Sequence, residues 1–376
     1  MGKAGKLKDI AGLFLKLGVI GFGGPAAHIA MMQKEIVVKR KWLSEQEFLD
    51  LVGATNLIPG PNSTELAIHI GHKKGGWKGL LLAGVCFILP AVLITGFFAY
   101  LYKRYGQLPE VQPFVYGIKP AIIAIIPGAI FPLARKSLKS IELAIIGIMV
   151  LIGSLLGINE IYLMIGAGFA ALLLAYVRNK KQSNINSFIP LILLQTNATS
   201  LFSTANTNLF LIFLKIGAIL YGSGYVLFAF LDTELVATGL LSRQQLIDAI
   251  AVGQFTPGPV FSSVTFIGYQ INGVAGAVVA TIAIFLPSFV FVALLSPIVA
   301  KMRNSILFSA FLDAVNVASV AIIMAVCFDM GKDTITDWRT ILIAALSIII
   351  AFTFKRINSA FIVLGGSLFG YLLALL

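Results

Sequence analysis

The chain has 376 residues, of which 58% are hydrophobic and only 12% charged, with a formal net charge of +12. Soluble domains average about 25% charged residues, so apolar runs recurring along the whole length exclude a soluble enzyme or nucleic-acid-binding domain and indicate a polytopic membrane protein. A positive-inside bias and contact with anionic lipid account for the positive excess, so the expected partner is the lipid bilayer and not nucleic acid.

In chain order, lysines at positions 3, 6 and 8 precede the first apolar run. A signal peptide is rejected there, because the run contains Lys16 and belongs to an internal repeat. The first element is an interrupted helix over 8–31, broken at Gly21-Phe22-Gly23-Gly24-Pro25. An amphipathic polar stretch follows. Next come two half-helices over 44–72 around Pro59-Gly60-Pro61, then apolar spans near 77–101, 111–135, 139–157 and 159–177. A polar linker, Arg178 to Asn184, leads into a segment at 188–196 that is too short for a confident span. The second half repeats the order: a broken helix over 207–231, half-helices over 242–270 around Pro257-Gly258-Pro259, and spans near 274–298, 303–330, 339–353 and 358–376.

The halves hold register through their helix breakers. Lys16 matches Lys215, Glu35 matches Glu234, Leu43-Ser44 matches Leu241-Ser242, and Asp50 matches Asp248. Gly71, Gly76, Gly79 and Pro90 match Gly268, Gly273, Gly276 and Pro287. Duplication of a whole half is a transporter signature. The domains are therefore an N-terminal repeat, 1–180, a linker, 181–206, and a C-terminal repeat, 207–376. Arg135, Lys136, Lys139, Arg178, Lys180 and Lys181 mark cytoplasmic loops, as do Lys301-Arg303 and Lys355-Arg356. The loop from Lys103 to Gln112 then lies outside, which makes the halves inverted, although Lys103-Arg104 and the N-terminal lysines run against the pattern. The expected fold is all-α, with about ten spans and re-entrant Pro-Gly-Pro hairpins.

Proline ends a helix and glycine tolerates angles that other residues avoid. A break in lipid survives only where protein or a water-filled cavity covers it, and a restarted helix presents N–H groups to an anion. The first breaks, with Gly23 and Gly24 and their counterparts Gly222, Ser223 and Gly224, are either hinges or places of close backbone approach to a ligand. Asn62, Ser63 and Thr64 after Pro61, and Ser262 and Ser263 after Pro259, either cap the restarted helices or bind ligand oxygens. Asn56 and Gln254 precede the breaks and are placed to donate from the other side. Lys16 and Lys215 either snorkel or face a cavity as cations for a doubly charged oxyanion. Glu35, Glu234 and Asp50/Asp248 suit an amphipathic stretch or a helix start. Proton coupling would require Glu35, Glu65 or Glu234 to sit in a cavity. His69 and His72 lack a third ligand for a metal, Cys86 and Cys327 are core residues, and no cofactor is expected.

The runs Gly21 to His28, Trp42-Leu43-Ser44, Asn56 to Glu65 and Gly253 to Val260 resemble the chromate ion transporter family in its long, two-half form. The resemblance covers nearly the full length. It implies a secondary transporter that exports chromate and confers chromate resistance, with sulfate as a competing analogue, and it leaves a homodimer open. A dianion leaving a negative interior gains about 4.6 kcal/mol per 100 mV, so export can run on the potential or by proton exchange. An anion channel and an intramembrane enzyme are the alternatives; no nucleophile–base pair supports the latter.

Overall fold

The computed structural model describes residues 3–22, 24–106, 108, 110–179, 204–222, 224–302, 305–354, 357 and 359–375. Gly23, Ser223, Lys180, Lys181, Arg303, Lys355-Arg356, the segment 188–196 and most of the expected linker lie outside them. The regular structure among the described residues is entirely helical.

In the first half, α1 (Lys3–Ile20) and α2 (Gly24–Gln33) flank the first break, and a π-helical turn, Lys34–Lys39, ends α2. Then come α3 (Glu45–Thr55), α4 (Asn62–Tyr105), α5 (Gln112–Ser137), α6 (Ile141–Leu155) and α7 (Glu160–Asn179). The second half runs α8 (Thr204–Ile219), α9 (Val226–Leu231), a π-helical turn Asp232–Val236, α10 (Arg243–Phe255), α11 (Ser263–Met302), α12 (Ile306–Thr334), α13 (Trp338–Thr353) and α14 (Ser359–Ala374). The end of the expected linker is thus already helical. Five helices among the described residues are long and apolar enough to cross a membrane, and four shorter apolar helices accompany them.

The duplicated sequence signals produce duplicated local structure. Ser44 and Ser242 each begin a half-helix with a capping box, closed by Glu47 and Gln245. Helices α3 and α10 stop at Thr55 and Phe255, before the prolines, and the chain restarts at Asn62 and, through a 3-10 turn, at Ser263. Both long helices kink at a matched glycine. Gly76 has φ 61° and ψ −151°, and Gly273 has φ 57° and ψ −147°, angles that L side chains rarely adopt. The two arms of each kink close tightly. A Cβ at Gly71 would lie 2.3 Å from the Gly79 carbonyl oxygen, and one at Gly268 2.3 Å from that of Gly276.

Packing is also exchanged between the halves. α1 packs on α4, and its counterpart α8 packs on α11. α4 and α11 pack on each other, as do α5 and α12. α5 packs against α13 and α14 of the second half, whereas α12 packs against α6 and α7 of the first. Two layers result: α1–α4 with α8–α11, and α5–α7 with α12–α14. Lys139 pairs with Asp313 at 2.7 Å, which puts the end of α5 at the start of α12. Arg243 pairs with Asp333 at 3.0 Å, which puts the start of α10 at the end of α12.

Candidate functional site

The four breaks meet, and they do so crosswise. The Gly258 N–H, in the second Pro-Gly-Pro, donates to the Gly21 carbonyl of the first-half break at 2.7 Å. The Gly60 N–H, in the first Pro-Gly-Pro, donates to the Leu220 carbonyl of the second-half break at 2.8 Å. Backbone groups freed by the interruptions therefore satisfy one another across the repeat. Around this knot, the His28 ring donates from Nε2 to the Gly21 carbonyl at 2.8 Å and accepts at Nδ1 from the Ser63 hydroxyl at 3.3 Å.

Beside the knot lies a cavity of about 390 Å³. The junction of α3 and α4 lines it with Asn56, Ile58 and Asn62, and the second-half break contributes Gly222. The wall opposite is α12, with Ser309, Asn316 and Ser319 spaced along one face, and the end of α5, with Lys136 and Lys139. The Asn62 amide donates to Asn56 at 2.8 Å, and the Ser319 hydroxyl donates to the Tyr221 carbonyl at 3.2 Å, tying α12 to the break. The lining thus combines amide and hydroxyl dipoles with Lys136 and Lys139 at one end, where the Asp313 carboxylate also lines the cavity and pairs with Lys139, so that Lys136 is the lining cation left to an oxyanion.

The sequence-derived candidates divide into three groups. Asn56, Asn62 and Gly222 line the cavity. Pro61, Ser63, Thr64, Gln254, Ser262 and Ser263 are buried around the knot and outside that lining. The helix restarts at Pro61 and Pro259 carry no side-chain cap, so the hydroxyls there do not cap. Gln254 accepts from the Tyr225 hydroxyl at 3.3 Å while its Nε2 has no partner. Gly224 packs beside Val260, 3.5 Å from where its Cβ would stand, and Gly24 has open space around it at φ 77°.

Lys16 and Lys215 form the third group, with the matched acids. Lys16 pairs with Glu35 at 3.2 Å, and Lys215 with Glu234 at 2.6 Å. Their side chains are 50% and 43% exposed, and neither lines the cavity. Each acid sits in a π-helical turn. The Lys39 ammonium, and behind it Lys16, hold the Glu35 carboxyl below the usual carboxylate range. Glu65, by contrast, is fully buried in the first turn of α4. No ion pair to it occurs among the described residues, and its nearest polar surroundings include Ser288, beside Gly60.

Sequence reasoning passed over Asn316 and Ser319. The available signal was two polar residues one turn apart inside an apolar span. In the sequence, Lys136 and Lys139 signal only topology. No group of three or more metal-ligating side chains occurs among the described residues.

The chromate transporter family model matches residues 8–172 and again 207–371, one copy per half. The chain belongs to the chromate transporter family. It is 34% identical to a probable chromate transport protein of Synechococcus elongatus, over 91% of this chain and 89% of the relative. It is 32% identical to a chromate transport protein of Cupriavidus metallidurans, over 97% and 92%. An uncharacterized transporter of Methanocaldococcus jannaschii is 27% identical over 96% and 92%. No solved structure matches the chain. Membership of a transport family and several long apolar helices make this a multi-pass transporter of the cytoplasmic membrane.

Proposed function

We propose that this chain exports chromate, or a tetrahedral dianion of the same shape such as sulfate, by alternating access. Its relatives from Synechococcus elongatus and Cupriavidus metallidurans carry chromate transport in their names, and the cavity offers the amides, hydroxyls and ammonium groups that such a dianion requires. The halves are inverted, with about ten spans and with the Pro-Gly-Pro units as re-entrant hairpins. The ion pairs at the two ends of α12 favour this, because the first hairpin opens toward the Lys136 and Lys139 end while α10 enters from the other. The basic end is cytoplasmic, so the chain stands open to the cytoplasm.

The observation that carries the reading is the crosswise knot of four breaks beside a cavity with cations at one end. On the opposite side α10 packs on α5 and α14, and this closure favours a carrier over a continuous channel. Glu65 is the candidate for proton exchange, since Glu35 and Glu234 are neutralised by lysines. Tracer chromate flux in proteoliposomes at controlled potential and pH tests the proposal. Saturable flux that sulfate inhibits and trans substrate accelerates is expected; linear, unsaturable flux would leave a channel in its place.

A further inference from the structure

The two hairpins differ in how they meet the second layer. α10 packs on α5, whereas its counterpart α3 makes no comparable contact with α12 among the described residues. At the α10–α5 contact lies a buried charge cluster drawn from three elements. Lys119 of α5 stands 3.6 Å from Asp248 of α10, and the Tyr102 hydroxyl, near the end of α4, donates to the other oxygen of Asp248 at 2.6 Å. The Lys119 and Asp248 side chains are only 14% and 5% exposed.

Burying an ion pair costs desolvation that apolar packing avoids, and ionisable groups inside a span are there for function far more often than for stability. Register supplies the second observation. Phe114, Ala121, Ala124, Ile125, Ile126 and Phe131 of α5 match Phe311, Ala318, Ala321, Ile322, Ile323 and Phe328 of α12 without a gap. Lys119 then falls on Asn316, which lines the cavity. In the closed half a lysine capped by Asp248 occupies the place that an open amide holds in the other half.

We propose that Lys119, Asp248 and Tyr102 form the gate on the far side of the path, and that Lys119, once Asp248 withdraws, is the cation of a second half-site for the dianion. This rests on the alternating-access reading above. When the roles of the halves exchange, α10 leaves α5 as α3 now stands away from α12. The cavity that opens there contains Lys119 in the position of Asn316, and Gln254 in the position of Asn56. The substrate and the Asp248 carboxylate compete for one ammonium group, so occupancy of the half-site holds the gate open and departure of the dianion lets Asp248 return. The two half-sites are unequal at the matched position: the cytoplasmic one presents the Asn316 amide there, the far one the Lys119 charge, masked until needed.

The test uses full-length protein in proteoliposomes, with Cys86 and Cys327 replaced and Thr256→Cys as reporter at the tip of the second hairpin. A membrane-impermeant thiol reagent is applied from the far side. The minor state of such equilibria is populated at about 0.1–10%, leaving room for a rise of about tenfold in labelling. Asp248→Asn, and the double variant Lys119→Gln/Asp248→Asn that leaves no orphan charge, are both expected to show that rise. Labelling as slow as in the parent overturns the gate. Far-side sulfate is expected to change the labelling rate of the parent and of Asp248→Asn, but not of the double variant. A sulfate effect that survives loss of Lys119 removes it from the half-site. A protein without oxyanion flux that still shows faster labelling in Asp248→Asn would sink the transport reading while leaving the gate in place.

Discussion

Lys16 and Lys215 look, in sequence, like cations waiting for a substrate, and each has instead an acid from its own half at its ammonium group. Exposed pairs of this kind are worth about 0–1 kcal/mol. Lys16→Gln and Lys215→Gln are therefore expected to leave chromate affinity within about twofold of the parent, a change well below the tenfold that 1.4 kcal/mol produces. Tracer competition in detergent-purified protein checks this, and a loss of tenfold or more would return the lysines to the path. Glu35 gives a matching expectation in pH. Its carboxyl is held below the ordinary range, so its stabilising contribution is complete above the unfolded value of about 4.3 and is lost only as pH falls through the lower folded value. Flux by Glu35→Gln between about pH 6 and 8 is expected to follow the parent profile, whereas Glu65→Gln is expected to flatten any proton dependence there. A profile altered in Glu35→Gln alone would reverse that assignment.

Helix breakers are legible in sequence because the backbone enforces them locally: Pro-Gly-Pro ends both half-helices, and Gly76 and Gly273 occupy angles that other residues rarely adopt. Partner choice is not local. Glu35 and Lys16 are separated by 19 residues, as are Glu234 and Lys215, and only the path of the intervening turn decides that they meet. Asn316 and Ser319 were hidden for another reason. Their helix is apolar enough to read as an ordinary span, and its contact with the first half follows from exchanged packing, which no single segment encodes. At this scale the kinks give a sharp expectation. Gly76→Ala places a β-carbon at positive φ, which costs about 1–3 kcal/mol, and Gly273→Ala should cost a similar amount because the angles match. Thermal unfolding of the two variants should shift together; a neutral Gly76→Ala would mean that the kink is not fixed.

Across the molecule, one pair of half-helices is docked on α5 and α14 and the other stands beside a cavity, the asymmetry that the proposed alternating access requires. Cysteines at Asn316 and Ser309 should label from the cytoplasmic side in the resting protein, whereas Thr256→Cys should resist reagent from either side. Equal labelling of Asn316→Cys from both sides would indicate a through-pore. An inside-negative potential should drive net export, with about 4.6 kcal/mol per 100 mV available if both charges cross the full field, and tracer flux at clamped potentials should rise with it.

The crossed hydrogen bonds between the breaks bear on how such a chain can be assembled and divided. Gly60 finds its acceptor only in the second half, and Gly258 only in the first. A half synthesised alone would enter the bilayer with the N–H of its Pro-Gly-Pro glycine unclaimed, and on the inverted arrangement proposed above the missing partner must arrive upside down. Separate genes for the two halves would therefore need products that insert in opposite senses, or one product that inserts in both. Fusion into one chain fixes the stoichiometry at one to one and removes the search for an antiparallel mate. Two fragments cut between residues 180 and 203 and produced together should recover flux, and either fragment alone should be degraded.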